Sequence, residues 1–348
     1  MGTLRFLLAL SVIIAHSSTL FGISMVGGPT AVQTFYMISG FYMSLILEKK
    51  YTGIGSYQKF LSNRFLRIFP VYWIIAALTL IFLSLTGGLV IWTQIGVLPF
   101  LFLSFVNTLI IGQDVVMFLK FTPDLQGFLP TKNFWITSPP THNWLLIPQA
   151  WSISVELLFY VVAPWLVRKT TRILVVLACL SLILRAMLYA KGLDFDPWTY
   201  RFFPLELFFF ITGILCFRYF RRIKERILEE RTWIFCLTLA LAVVFYQFIP
   251  TIIFPRQILL YAAIILSLPF LFIFTNTHRW DRSLGELSYP AYISHYLILQ
   301  ILFYFRHETQ ATISQTTTLL CIVLTLLVSG LLVRFVSNPI DNFRQRRV

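Results

Sequence analysis

The sequence predicts an all-α polytopic membrane protein, with about ten transmembrane helices, one re-entrant or interfacial segment, and both termini cytoplasmic. Three observations carry that prediction. The 348 residues are 58% hydrophobic and 12% charged, with a mean hydropathy of +0.79, whereas a soluble domain carries about twice that share of charge. The apolar residues recur in blocks long enough to cross a bilayer. Lysines and arginines gather in alternate loops, the pattern of cytoplasmic loops in membrane proteins.

In chain order the blocks lie near 4–24, 30–47, 70–89, 95–112, 144–166, 172–190, 202–219, 232–249, 257–275, 284–304 and 313–334, which makes eleven. The first has no cluster of positive charges before it and no A-x-A-like site after it, so it reads as a retained helix rather than a cleaved signal peptide. Lys49, Lys50, Lys59, Arg64 and Arg67 sit between the second and third blocks. Arg218, Arg221, Arg222, Lys224, Arg226 and Arg231 share a later loop, and Arg344, Arg346 and Arg347 close the chain. The net charge of +14 therefore reads as topology and attraction to anionic headgroups, not as nucleic-acid binding.

Counting back from the basic tail makes 113–143 outside, while the basic loop at 48–67 reads as inside, with two blocks between them. Only an odd number of crossings connects opposite sides, so either 70–89 or 95–112 is expected to be re-entrant or interfacial. The segment 113–143 is the only long external one. No repeat or low-complexity linker interrupts 1–348, which reads as one domain. Cys179, Cys216, Cys236 and Cys321 lie in or beside apolar blocks without paired spacing, so they read as small apolar residues, with no disulfide and no metal site.

Function is sought where polar groups sit at membrane depth, because they are costly there. In "LRFLLALSVIIAHSS" Arg5 and His16 are eleven residues apart. At about 100° per residue they share one helix face, separated by roughly 16 Å. A snorkelling anchor and an interhelical hydrogen-bonding group are the plain alternative. In "NRFLRIFPVYW" Arg64 and Arg67 share a face at i, i+3, and arginine forks match phosphate oxygens. "QAWSISVELLFY" puts Glu156 deep in its span, one turn from Ser152 and close to Trp151. "LGELSYPAYISHYLIL" aligns Ser288, Tyr292 and His295 on one stripe, where Tyr289 and Pro290 are able to kink the helix and free a carbonyl. In "FYMISGFYMSL" Gly40 predicts tight helix packing.

In this order the motifs resemble those of the integral-membrane acyltransferase-3 family, bacterial O-acetylases of surface polysaccharides and glycosides. The resemblance covers essentially the whole chain. Arg5 and His16 match the family's R-x10-H element; "FYMISGF", "RFLRIFPVYW", "WSISVELLFY" and "LGELSYPAYISH" are similar to its other four. Asn338 before Pro339 departs from an acidic residue that the family often has there.

The resemblance implies a bacterial inner-membrane enzyme. It would transfer an acyl group, commonly acetyl, from cytosolic acyl-CoA to a carbohydrate hydroxyl near the outer face. It assigns Arg5, Arg64 and Arg67 to the CoA phosphates and His16 to general-base or acyl-carrier chemistry, with Glu156 as its orienting carboxylate. Ser288, Tyr292 and His295, with Trp151 and Ser152, are expected to bind acceptor or oxyanion. No metal is implied, and the partners are acyl-CoA, a glycoconjugate acceptor and the bilayer. Direct transfer and an acyl-imidazole intermediate both stay open. A transporter or flippase for a polar or lipid-linked glycan is the alternative from another class.

Overall fold

The structure, a computed structural model, describes residues 1–227, 232–251, 255–276 and 278–347; Arg231 of the second basic cluster lies outside them. The chain is 77% helical. In order it forms α1 (Gly2–His16), α2 (Gly27–Lys49), α3 (Ser56–Thr86), α4 (Val97–Leu109) and a short α5 (Gln113–Val116). An antiparallel hairpin of β1 (Leu119–Thr122) and β2 (Gly127–Pro130) follows. Then come α6 (Trp151–Leu166), α7 (Thr171–Ala190), α8 (Phe203–Ile223), α9 (Thr232–Val244) and α10 (Arg256–Asn276). The last three are α11 (Arg279–Arg306), α12 (Gln315–Leu332) and α13 (Asn338–Gln345).

Among the described residues seven helical stretches are long and apolar enough to cross a membrane, and α1, α4 and α9 are apolar but shorter. This is an all-α polytopic membrane architecture. Helix α11 has the length, at 28 residues, but its sequence is more polar, with Asp281, Arg282 and Glu286 near its start.

Two elements differ from the sequence expectation. The span expected at 4–24 stops at His16, because a Ser-Ser-Thr run follows. Such hydroxyls compete for helix carbonyls, and Ser17 donates its hydroxyl hydrogen to the Ile13 carbonyl at 2.8 Å. At 15 residues the helix is about 22 Å long, and His16 is its last residue rather than near its middle. The basic stretch read as a loop at 48–67 is partly helical, since α3 begins at Ser56 and runs through Pro70. Arg64 and Arg67 are therefore helix residues. Helix α11 runs without a break from Arg279 to Arg306, with Pro290 inside it.

The chain forms two compact units, one of Met1–Ser56 with Phe209–Val348 and one of Tyr57–Phe208. In the first, α1, α11 and α12 close a core of Ile13, Ala291, Ile298, Leu299 and Cys321. Helices α2 and α8 meet there at Gly40 and Gly213. A Cβ at Gly40 would lie 2.0 Å from the Phe210 carbonyl oxygen, and one at Gly213 would lie 2.0 Å from that of Met37. The glycine in the aromatic run thus serves close packing, as expected. In the second unit buried polar groups pair with one another: Tyr72 donates to the Asn107 carbonyl (2.6 Å), Gln113 donates to Tyr72 (2.9 Å), and Ser154 donates to Asp114 (2.6 Å).

Candidate active site

Helices α1 and α11 run in the same direction and are pinned at both ends. At their starts the backbones touch. A Cβ on Gly285 would come within 2.8 Å of the Gly2 Cα, so only glycine allows the approach. Beside it the Asp281 carboxylate accepts from the Gly2 amide at 2.6 Å, the Thr3 amide at 2.8 Å and the Thr3 hydroxyl at 2.7 Å. These amides have no acceptor within their own helix, and a carboxylate at a helix N-terminus is favoured by the dipole as well.

At the other end the last residue of α1 meets the middle of α11. His16 Nδ1 lies 3.0 Å from His295 Nε2, with the rings stacked at 5.1 Å between centroids. His295 is fully buried, and its Nδ1 is 3.3 Å from the Ala291 carbonyl oxygen. A carbonyl only accepts, so this contact assigns the His295 hydrogen to Nδ1 and leaves Nε2 as an acceptor. His16 must then donate through Nδ1, which puts its lone pair on Nε2. The tautomers are assigned from the hydrogen-bond network. A fixed imidazole with a defined basic nitrogen is what general-base or nucleophilic catalysis requires.

Of the rest of the predicted stripe, Tyr292 packs edge-on between Phe35 and His295, at 6.2 and 6.1 Å. The Ser288 hydroxyl turns back to its own helix and donates to the Gly285 carbonyl at 2.7 Å. Tyr296, which sequence reading passed over, sets its ring edge-on to His16 at 6.1 Å. Arg5 is half-buried on α1, three turns before His16.

In the second unit two of the predicted motifs meet. The Arg64 guanidinium on α3 lies 5.6 Å from the Phe60 ring and 5.7 Å from the Tyr160 ring on α6. Tyr160 donates to Glu156 at 2.6 Å. Arg64 is buried and Arg67 exposed, so the two arginines of one face have different surroundings. Trp151 lies under the Arg201 guanidinium at 4.3 Å, while Ser152 donates to the Gln149 carbonyl at 3.1 Å. Arg201 is itself held by Asp196 at 2.5 and 2.9 Å. Next to this group, His142 packs against Trp135 and Phe134, at 5.1 and 5.9 Å. Burial, and secondarily the Arg201 charge, push the His142 pKa down to about 4.

A family described as an acyltransferase domain matches residues 2–334. The chain is 24% identical over 208 residues to Nodulation protein 10 of Rhizobium leguminosarum bv. viciae, an alignment covering 58% of this chain and 52% of that one. It is 27% identical over 217 residues to an Aquifex aeolicus (strain VF5) protein named "Uncharacterized protein", covering 60% of this chain and 92% of that one. The chain thus spans about half the length of Nodulation protein 10. No solved structure matches.

Proposed function

We propose that the chain, which belongs to this acyltransferase family, is a multi-pass membrane enzyme that moves an acyl group, most simply acetyl, from cytosolic acyl-CoA to a carbohydrate hydroxyl near the outer membrane face. The observation that carries this reading is the histidine pair. A base with one assigned lone pair, backed by a buried second imidazole, suits abstraction of a hydroxyl proton better than a passive interhelical contact.

In the proposed reaction the acceptor O–H gives its proton to His16 Nε2 while its oxygen attacks the thioester carbonyl. The C–S bond then breaks, and the departing thiolate takes the proton back from His16 and leaves as the CoA thiol. The same lone pair serves an acyl-imidazole route, in which Nε2 attacks the thioester and expels the CoA thiolate, and the acceptor oxygen then displaces the imidazole while its proton passes to the thiolate. His295 is a positioning residue for His16. Tyr292 is the stripe's candidate for the oxyanion, since Ser288 has turned its hydrogen to Gly285. Glu156 stays proposed as a catalytic carboxylate, and Trp151 and Ser152 as supports on the acceptor side. Arg5, Arg64 and Arg67 each offer a guanidinium to the anionic end of the donor.

For topology, α4 is our candidate for the segment that does not cross, since 13 residues span only about 20 Å against a hydrocarbon core of about 30 Å. We further propose cytoplasmic termini and a bacterial inner-membrane location. Mass spectrometry of surface glycans tests the reading in cells lacking the protein, complemented with wild type or with His16→Ala. Acyl groups restored by the first and not by the second support it. Equal restoration by both counts against it.

A further inference from the structure

A cavity of about 550 Å3 opens at the end of α1, bordered by the residues on either side of His16 and by Ser18, Thr19, Ser24, Tyr246, Gln247 and Arg256. Its walls are tied together. Gln247 accepts from the Ser24 amide and hydroxyl, at 2.9 and 2.8 Å, and donates to the Gly22 carbonyl at 2.7 Å. The stretch between α1 and α2 is thereby fastened to the turn before α10. Arg256 donates one N–H to the Gln247 carbonyl at 2.8 Å, and its guanidinium lies 5.8 Å from the Tyr246 ring.

The charge of this cavity is one-sided. Among the described residues its walls hold one cation and no aspartate or glutamate, and no carboxylate pairs with Arg256. A guanidinium fork recognises carboxylate or phosphate oxygens through paired N–H donors. Around it stand hydroxyls and a carboxamide, which suit a ligand rich in hydroxyl groups. Ala15 and Ser17, the chain neighbours of His16, stand in the cavity wall, so a ligand seated here lies beside the end of the helix that carries the proposed base.

We propose that this cavity is the acceptor site, and that it selects an acidic sugar whose carboxylate pairs with Arg256 while a neighbouring hydroxyl faces His16. The proposal rests on the acyltransferase reading for the term acceptor. Its test reads binding alone, without donor or turnover, so the two fail separately. Loss of thiol release from acetyl-CoA would strike the enzyme reading and leave the cavity's ligand measured.

The experiment is thermal stabilisation of the full chain in phosphatidylcholine nanodiscs, titrated with methyl β-D-glucuronide or methyl β-D-glucoside. The expected result is at least tenfold tighter apparent binding of the glucuronide by wild type. Arg256→Gln is expected to abolish that preference, and Arg256→Lys, which keeps the charge but not the fork, to retain part of it. The wild-type comparison does not depend on any variant folding. Equal response to both sugars, or to neither, overturns the proposal. So does stabilisation by phosphatidylglycerol nanodiscs with no response to glucuronide, which would assign the cavity to a lipid headgroup.

Discussion

His16 Nδ1 and His295 Nε2 stand 3.0 Å apart, joining residues separated by 279 positions in the sequence. The direction of that hydrogen bond follows from the Ala291 carbonyl beneath His295, and it fixes which nitrogen of His16 is basic. His295→Leu removes the acceptor and frees the His16 ring to turn. We expect kcat to fall by about 10- to 100-fold, with KM for acyl-CoA little changed. His295→Gln keeps an acceptor oxygen and should recover a measurable part of the loss, which a purely packing role for His295 would not produce. Steady-state kinetics on both variants checks this.

Gly285→Ala tests whether the start of the α1–α11 crossing controls its far end. The added methyl would meet the Gly2 backbone at 2.8 Å, and overpacking of this kind costs about 1–3 kcal/mol. The expected outcome is a lower melting temperature together with a lower kcat, because the helices must part and carry the histidines with them. A lower melting temperature with unchanged kcat would separate the crossing from the site.

The five motifs place their helices well, because apolar period and block length survive in any membrane helix. What the sequence does not expose is of two kinds. One is termination: Ser17, Ser18 and Thr19 end α1 at His16, yet within a long apolar block they look like tolerated small residues. The other is long-range contact. Ser288, Tyr292 and His295 are legible as a stripe, but only the packing of α1 on α11 shows that the imidazole faces His16 and the serine faces its own backbone. Glu156 and Tyr160 are visibly one turn apart, whereas the Arg64 guanidinium over the Tyr160 ring is not. Tyr246, Gln247 and Arg256 carry no spacing signal, and Asp281 looks like one acid in a basic loop.

Arg64 and Arg67 should respond differently to truncation. Arg67 is exposed and Arg64 is buried against two aromatic rings, so Arg67→Ala is expected to raise KM for acyl-CoA with stability unchanged. Arg64→Ala should raise KM and also cost about 1–2 kcal/mol of stability through the lost ring contacts. Thermal melting beside kinetics separates the two effects.

His142 makes the loop between α4 and α6 acid-sensitive. Its folded pKa of about 4 against an ordinary 6.5 means that it is neutral in the fold and takes up a proton on unfolding between those values. Its contribution to stability is intact above about 6.5 and is lost as the pH falls toward about 4. Melting temperatures measured across that window should decline with falling pH in wild type, and the decline should be shallower in His142→Phe. Parallel slopes would contradict the assignment.

The most direct measurement is transfer of label from radioactive acetyl-CoA by the purified protein in nanodiscs, with release of the free thiol followed in parallel. If His16 is the reacting base, His16→Ala should lower both by about 10²–10⁴-fold while CoA still stabilises the variant against heat. Unchanged turnover in His16→Ala, with the fold intact, would contradict the assignment of His16.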